Sequence, residues 1–368
     1  MNKKILTLTI ILGCAVMIAV FCGTGYAAVT GACVNCHTMH NSQAGAEMAT
    51  FGGDTGENNA LVRGSCLGCH GQLPGGTGAD AHLINDIPQV LHKGDTNLAG
   101  GNFTYIADSG TAPTTGSTTT AGHNVVYGST IVSETTLTTP PGDEYGTTVT
   151  NLNFTCAGTT GCHGNRATAG DFASISGAHH GGVGGVCDGS DLNNSYRFLL
   201  GVKGYENMHA TYKYQNYNSQ YHNEYYGIVA ATEAGSGTAP GSNTISGFCA
   251  ECHGNFHGVA NDIGDDITAP FTRHPTDVVL PNKTEYSVYT AYSVEAPVAR
   301  PSVYGTINTP GTNDAVAPGT DVVMCLSCHG AHATAYEDIL RWNYSDMSAG
   351  SAFGNTGCFT CHTTKDDA

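Results

Sequence analysis

Five short segments share the pattern C-x-x-C-H, in which a histidine directly follows the second of two cysteines. Two thiols at this spacing can form thioethers to the edge of a porphyrin, and the adjacent histidine, on the same turn, can bind the iron. The pattern is typical of covalent c-type haem attachment. The five units are Cys33, Cys36 and His37; Cys66, Cys69 and His70; Cys249, Cys252 and His253; Cys325, Cys328 and His329; and Cys358, Cys361 and His362.

Two other uses of paired cysteines fit this spacing poorly. A random chain of this composition would hold on the order of 0.03 such patterns, so five do not arise by chance. A disulfide framework would not place a histidine after every second cysteine. A zinc site would need cysteine pairs from two units brought together, whereas each of these units is complete by itself.

A sixth unit is looser, because five residues separate Cys156 from Cys162, which precedes His163. Two glycines in the spacer would let the longer loop fold back so that both sulfurs still reach a ring. We therefore expect six haem c groups. An alternative is a single thioether from Cys162, with Cys156 bonded to Cys187, the one cysteine of residues 28–368 outside a motif.

The supply of histidine exceeds what six irons need. Of 17 histidines, six end the cysteine units, and six irons require at most six more on their opposite faces. A catalytic haem keeps one face open for substrate, whereas an electron-transfer haem is closed on both faces by the protein. The excess predicts an electron-transfer protein rather than an enzyme.

Charge and composition restrict the partners and the fold. The chain has 13 Lys and Arg against 30 Asp and Glu, a net charge of -17, which argues against nucleic acid as a partner. Large apolar residues are sparse and the connecting segments are rich in Gly, Thr, Ser and Asn. Six covalently held porphyrins could replace the missing side-chain core. We expect one domain over residues 28–368, mostly irregular, with few short helices and short strands around a haem stack.

Regular structure should be local. Residues 124–138 and 147–155 alternate well enough for short strands, and residues 333–344 show helical spacing. A short helical turn is expected at each cysteine unit.

The N-terminus resembles an export signal. Two lysines precede an apolar run over residues 5–21, and small residues stand at the positions expected before cleavage after Ala27. We expect a removable signal peptide over residues 1–27 and an exported protein, which no later segment would anchor across a bilayer. An uncleaved anchor and a lipoprotein signal at Cys14 are the alternatives.

Several segments give the chain a family resemblance. It is similar to the OmcS-type extracellular hexahaem cytochromes, which polymerise into conducting filaments, and it departs from them around residues 156–190. The similar segments are residues 33–42 (C-V-N-C-H-T-M-H-N-S), 122–126, 135–142, 248–253, 273–275 and 325–333.

The resemblance implies two histidines on every iron, stacked and T-shaped neighbouring haems, and donation of His40 to a haem of the adjacent subunit. By position it implies several further histidine ligands, with His179 or His180 completing the departing third site. The positional candidates are His82, His123, His274 and His332, with His257 as a rival.

Donation of His40 across a subunit boundary would join two different patches, and such heterologous contacts propagate into rings or open filaments. The alternative is that His40 closes a haem of its own chain. The function expected is extracellular electron transfer through a head-to-tail homopolymer to extracellular acceptors or redox partners. A periplasmic or cell-surface carrier that does not polymerise and a multihaem oxyanion reductase are the alternatives.

Overall fold

Regular secondary structure occupies a small part of the chain, as predicted. The computed structural model describes residues 31–49, 56–71, 82–92, 97–106, 120–125, 140–142, 154–180, 186–187, 196–205, 211–228, 244–256, 274, 276–283, 285–301, 314–350, 354 and 356–363. Within these residues the α-helices are α1 (Cys66–His70), α2 (Asp171–Ser174) and α3 (Ile245–Ala250). The irregular fold class expected from the sequence is confirmed.

The described strands are two to four residues long and pair antiparallel. The pairs β1–β2, β3–β4 and β8–β9 stand alone, and β5, β6 and β7 form one sheet in that order. The strands are β1 (Ser42–Gln43), β2 (Ala46–Glu47), β3 (Leu83–Ile84), β4 (Ile87–Pro88), β5 (Val186–Cys187), β6 (Val202–Tyr205), β7 (Glu224–Tyr225), β8 (Val278–Val279) and β9 (Val322–Val323).

Two of these pairs are tight hairpins. Ala44 and Gly45 join β1 to β2, and Asn85 and Asp86 join β3 to β4, all four with positive φ. A two-residue turn with both φ values positive matches the twist of the flanking strands. The first hairpin follows the first cysteine unit in the chain, and the second hairpin follows the second unit.

Short helical turns lie at all six cysteine units, which confirms that prediction. Helices α1 and α3 carry Cys66 and Cys249, and 3-10 turns serve the rest. The two helices begin at side-chain caps, because Ser65 accepts a hydrogen bond from the Gly68 amide and Thr244 accepts one from the Gly247 amide. The 3-10 turns are Cys33–Asn35, Gly158–Thr160, Cys325–Ser327 and Gly357–Thr360.

The buried apolar side chains form three small clusters. The first includes Leu67 and Phe103, the second Val202 and Met324, and the third Tyr289 with others around it. Each cluster contains six or seven buried residues. The described side chains thus pack locally between the cysteine units.

The helix predicted over residues 333–344 is wrong. The segment holds a 3-10 turn at Glu337–Ile339, in which Asp338 has φ 56° and Ile339 has φ 54°. Left-handed residues stop an α-helix, and the apolar spacing reflects separate contacts of a loop. Of the two predicted strands, residues 124–125 and 154–155 are described and are not strands. The predicted signal peptide lies outside the described residues.

Among the described residues, none of the helices has the length and apolar run that crossing a bilayer requires.

Candidate metal centres

The backbone of the cysteine units brings each final histidine back toward the first cysteine. In four units the histidine amide donates to the carbonyl of the first cysteine: His37 to Cys33 at 2.8 Å, His253 to Cys249 at 2.9 Å, His329 to Cys325 at 3.1 Å and His362 to Cys358 at 3.0 Å. One turn therefore carries two sulfurs and one imidazole. We number the six units as sites one to six in chain order and call their final residues the motif histidines.

Site three reproduces this turn despite its longer spacer. The amides of Cys162 and His163 both donate to the Cys156 carbonyl, at 3.1 and 2.9 Å. In site one the amides of Cys36 and His37 make the same two bonds to Cys33, at 3.1 and 2.8 Å. The extra residues leave the turn as a separate loop, so the site-three cysteines and histidine are arranged as in the regular units.

The glycines of the spacer allow that loop. Gly158 has φ 81°, in the left-handed region that favours glycine. A Cβ on Gly161 would lie 2.3 Å from the Ala157 backbone nitrogen, a distance that real side chains do not reach. The predicted fold-back therefore depends on these two positions. The side chain of Cys187, the alternative partner of Cys156, lies outside the described residues.

All six motif histidines have Nδ1 within hydrogen-bonding distance of an oxygen. Because a carbonyl or carboxylate oxygen only accepts, Nδ1 must carry the proton, which leaves the Nε2 lone pair available to a metal. The acceptors are the Leu61 carbonyl for His37 (3.2 Å), Pro88 for His70 (2.9 Å), Arg197 for His163 (2.6 Å), Pro141 for His253 (2.7 Å), Asp338 for His329 (2.8 Å) and the Glu285 carboxylate for His362 (2.8 Å).

Five motif histidines face a second histidine at nearly one distance. The ring centroids are 6.0 to 6.4 Å apart, with planes from nearly parallel to perpendicular. The pairs are His37 with His180 (13°), His70 with His179 (22°), His163 with His332 (50°), His253 with His123 (52°) and His362 with His274 (86°).

This distance suits a metal held between the two rings. With metal–nitrogen bonds of about 2 Å and about 1.1 Å from nitrogen to ring centroid, two imidazoles on opposite faces of one metal have centroids about 6 Å apart. Direct stacking would bring the rings much closer, as in the Tyr212 and Tyr217 pair at 3.5 Å. The residues of the five pairs therefore fit an iron with two axial imidazoles.

Burial keeps several of these groups neutral. It lowers the pKa of His332 to about 3 and the pKa values of His123 and His179 to about 4, with nearby histidines adding to the effect. Burial also raises the pKa values of the Cys162 and Cys328 thiols to about 12. A neutral imidazole is the form that binds a metal, and an apolar setting suits an uncharged thioether.

Some of the histidines that the resemblance implied as second ligands face motif histidines, and others do not. His123, His274 and His332 face motif histidines, but His82 does not, because the Gln215 amide donates to its Nε2 at 2.8 Å. The ring opposite His70 is that of His179. His257 lies outside the described residues.

His163 of site three faces His332, and neither His179 nor His180, which the resemblance implied for this site, is the ring opposite it. His179 and His180 lie on one 3-10 turn, where consecutive side chains point about 120° apart, so they reach two other sites.

Site five differs from the other sites. No other described histidine ring lies at the paired distance from His329. His40, in turn, faces no motif histidine among the described residues, and it is exposed. Its Nδ1 lies 2.7 Å from the Asn58 carbonyl, the same arrangement that the motif histidines have. His40 therefore offers Nε2 to the outside of the chain.

Consecutive sites lie close together at the start of the row. His179, which faces His70 of site two, is near enough to His37 of site one for that ring to lower its pKa. His70 has the same effect on the pKa of His163 in site three. The first three sites therefore follow one another in space.

The later sites continue this order. Arg166, just after site three, pairs with Glu251 inside site four at 2.6 Å. The Cys249 and Cys325 thiols of sites four and five lie close enough together for Cys325 to raise the pKa of Cys249. Cys361 of site six contributes to the raised pKa of Cys328 in site five. The sequence alone does not indicate this spatial order.

Comparisons with known proteins agree with the cysteine pattern. A family described as "Doubled CXXCH motif" matches residues 317–367. The chain is 27% identical to the C-type cytochrome OmcS of Geobacter sulfurreducens, over 88% of this chain and 82% of that protein. The chain resembles an OmcS-type cytochrome. This match confirms the resemblance expected from the sequence.

Two solved OmcS structures are also similar to the chain. A cryo-EM structure of OmcS nanowires is 21% identical, and a structure of the outer membrane cytochrome S filament is 23% identical, both from Geobacter sulfurreducens. Each match covers 86% of this chain and 85% of the OmcS chain, with a TM-score of 0.44.

Proposed function

We propose that the chain is an exported hexahaem c-type cytochrome that transfers electrons, and that its copies join head to tail into a conductive filament. The observation that carries the electron-transfer part is the set of five histidine pairs at 6.0 to 6.4 Å. Two imidazoles per metal leave no open face for a substrate. This supports electron transfer over the oxyanion reductase.

In this proposal the cysteines of a unit would hold one haem covalently and its motif histidine would bind the iron. At the five paired sites the facing histidine of the same chain would be the second ligand. The haem supplies one-electron chemistry when bound. The Nδ1 hydrogen bonds fix the plane and tautomer of each motif imidazole before any metal binds. Site three's regular turn supports attachment through both Cys156 and Cys162, and thus a count of six.

The order of the sites gives the electrons a path. Neighbouring sites are close enough for charges or sulfurs of one to affect the next, from site one to site six. A continuous row of this kind needs no motion of the chain for an electron to advance. The short strands and strained turns keep adjacent sites at fixed separations.

The filament joint is proposed to lie between His40 of one copy and site five of the next. No second histidine among the described residues faces His329, while His40 is presented outward on a strained turn. His40 has φ 54° and Asn41 has φ 68°, both unusual for residues other than glycine. Such strain persists only where the surroundings impose it, and it concentrates at functional sites.

Asn41 holds that turn in place. Its side chain is 1% exposed, donates to the Ala49 and Gly56 carbonyls at 2.8 and 3.1 Å, and accepts from the Ala49 amide at 2.8 Å. The strained turn is thus anchored from inside. A ligand held so firmly loses little freedom when it binds a second copy, which favours assembly.

The surface beside His40 suits burial against another copy. Met39 is 68% exposed, and Leu61 and Val34 are 55% and 43% exposed. At site five, Tyr336 is exposed beside the loop whose Asp338 carbonyl accepts from His329. Contact between these two different patches would be heterologous and would propagate. A net charge of -17 opposes assembly, so salt or divalent cations should assist it.

The location follows from the sequence. Residues 1–27 would be removed on export, and residues 28–368 would form the mature single domain. Its electron acceptors or redox partners would then be outside the cell or at its surface, and neither nucleic acid nor a membrane span is involved.

In the decisive experiment, the exported protein is purified and its covalent haems are counted from the intact mass. The same preparation is imaged by electron microscopy to detect filaments. Six haems per chain, all low-spin, in filaments are expected. A chain with far fewer haems, or with several open irons that bind carbon monoxide, would refute the cytochrome proposed here.

His40→Ala tests the joint. We expect discrete monomers with six haems, one of them five-coordinate and able to bind carbon monoxide after reduction. Gln43→Ala, an exposed change in β1 three residues after His40, is the matched control and should leave filaments intact. Filaments of His40→Ala with six low-spin haems would exclude this joint, and low-spin monomers of the unchanged protein would favour the non-polymerising carrier.

A further inference from the structure

We infer that Glu285 sets the reduction potential of site six by polarising His362. The inference rests on the proposed haem function and adds a residue that positions and tunes a ligand without touching the metal. The reduction potential of site six should therefore be lower than that of a site with the same two histidine ligands and no carboxylate at Nδ1.

His362 differs from the other motif histidines in what its Nδ1 faces. The other five rings, and His40 as well, face backbone carbonyl oxygens. The acceptor of His362 is the Glu285 carboxylate, with Nδ1 and Oε1 2.8 Å apart. A carboxylate accepts a hydrogen bond more strongly than a carbonyl because it carries a full negative charge.

The chain holds this carboxylate in place. The amides of Tyr286 and Ser287 both donate to the Lys283 carbonyl, at 2.9 and 2.7 Å, which closes a turn around Glu285. Thr363, next to His362, donates its hydroxyl to the Glu285 carbonyl at 2.6 Å. Two hydrogen bonds thus join the turn to the histidine segment, one through the side chain and one through the backbone.

The ring and its partner are also partly shielded from water. The Tyr286 ring meets the His362 ring edge-on at 5.2 Å. The side chains of His362 and Glu285 are 31% and 21% exposed. Partial burial preserves much of the interaction between the charge and the imidazole.

The chemical effect follows from this contact. A carboxylate that pulls on the Nδ1 proton raises the basicity of the imidazole, so Nε2 becomes a better donor to iron. A more basic ligand stabilises ferric iron more than ferrous iron, and the added negative charge also opposes gain of an electron. Both effects lower the reduction potential. Hydrogen bonding and charge around the ligands are established ways of tuning haem potentials.

The test is Glu285→Gln in the intact cytochrome, followed by potentiometric titration of all six haems. Glutamine keeps a similar shape and an acceptor oxygen but removes the charge. We expect one of the six one-electron components to become easier to reduce by about tenfold in its equilibrium constant, which corresponds to about 59 mV, with the other five unchanged.

Site six can be identified by its ligand planes. His362 and His274 cross at 86°, against 13° and 22° at sites one and two and 50° and 52° at sites three and four. Perpendicular planes leave two of the three lower d orbitals of low-spin ferric iron nearly degenerate, which gives a strongly anisotropic EPR signal. The component that shifts in the titration should be the one whose reduction removes such a signal.

The matched control is Glu295→Gln. The Glu295 carboxylate is half-buried and accepts from the amide of Gly357, immediately before Cys358, so it lies beside the same site. Its described contacts do not include an imidazole nitrogen. The control should leave the potential of site six much less affected than Glu285→Gln does. Equal shifts in the two variants would overturn the route through His362.

Glu285→Ala is the second variant, because it removes the charge and leaves room for a water molecule to accept the Nδ1 hydrogen bond. It should also make the site-six component easier to reduce. Variants that hold six low-spin haems without any shift would overturn this inference and leave the proposed function intact. An unchanged protein without covalent haem would instead refute the proposed function.

Discussion

His179 and His180 are neighbours in the chain, yet their rings face different motif histidines. His179 faces His70 at 6.4 Å and His180 faces His37 at 6.0 Å, both with nearly parallel planes. The two residues lie on one 3-10 turn, so a single dipeptide links sites one and two. The separation and relative orientation of these two sites are therefore set by one piece of rigid backbone.

Single substitutions should show that His179 serves site two and His180 serves site one. His179→Ala is expected to open site two and His180→Ala to open site one, because each ring faces only its own motif histidine. Each reduced variant should bind one carbon monoxide per chain, and the double variant should bind two. Titration of the visible spectrum with carbon monoxide measures this. If either single variant opened both sites, the pairing described here would be wrong.

His332 and His82 were both implied as second ligands by position in the sequence, but only His332 faces a motif histidine. His332→Ala should leave site three five-coordinate, whereas His82→Ala should leave all sites closed, since His82 is bonded to Gln215. Low-temperature magnetic circular dichroism would count high-spin haems in each variant. A high-spin haem in His82→Ala, with none in His332→Ala, would contradict the pairing of His163 with His332.

The close approach at Gly161 predicts a steric effect. Gly161→Ala would place a Cβ 2.3 Å from the Ala157 nitrogen, so the loop must open and the Cys156 and Cys162 sulfurs move apart. We expect the chain to carry one covalent haem fewer, as measured by intact mass.

Gly177→Ala is the control for this change. Gly177 has φ 80° but no atom within 4 Å of a built Cβ, so it costs about 1 kcal/mol of backbone strain without a clash. It should retain six haems. Full haem loading of Gly161→Ala would show that site three tolerates a different loop.

Acid should weaken the folded chain through its buried histidines. In the unfolded chain these groups take up protons near pH 6.5, but burial lowers the pKa of His332 to about 3 and those of His123 and His179 to about 4. Between these values the unfolded state binds more protons, so the free energy of unfolding falls as the pH is lowered from 6.5 toward 4. The stabilising contribution of the three neutral histidines is complete above pH 6.5.

Denaturant unfolding of the intact protein in high salt, which screens the net charge, measures this effect. At pH 5 the free energy of unfolding should be lower than at pH 7.5, because the three imidazoles are free to take up protons in the unfolded chain. His179→Ala should show a shallower pH dependence than the unchanged chain. Stability that stayed constant or rose on acidification would contradict the burial of these rings.

Local features were predictable from sequence, because their causes are local. The C-x-x-C-H turns depend on hydrogen bonds over four residues, and the fold-back between Cys156 and Cys162 depends on glycines within it. The histidine partners were only partly predictable. His123, for instance, is fixed by the distant Ala331 carbonyl, which accepts from its Nδ1 at 2.8 Å, and this contact has no signature near either residue.

The failed helix over residues 333–344 has a similar cause. Its apolar residues repeat at helical spacing, but the Asp338 carbonyl is needed by His329 Nδ1, and the amide of Gly330 donates to the Ile339 carbonyl at 2.8 Å. Long-range hydrogen bonds outweigh the weak local preference for a helix.

The pairing of His163 with His332 also bears on how the molecule matures. With the ligands proposed above, sites one and two would be completed once residues 179 and 180 have been synthesised, and site four would find His123 already made. Site three would wait for His332, near the end of the sequence. Haem attachment and ligand closure would then follow different orders, and a product truncated before His332 would lack the second ligand of site three.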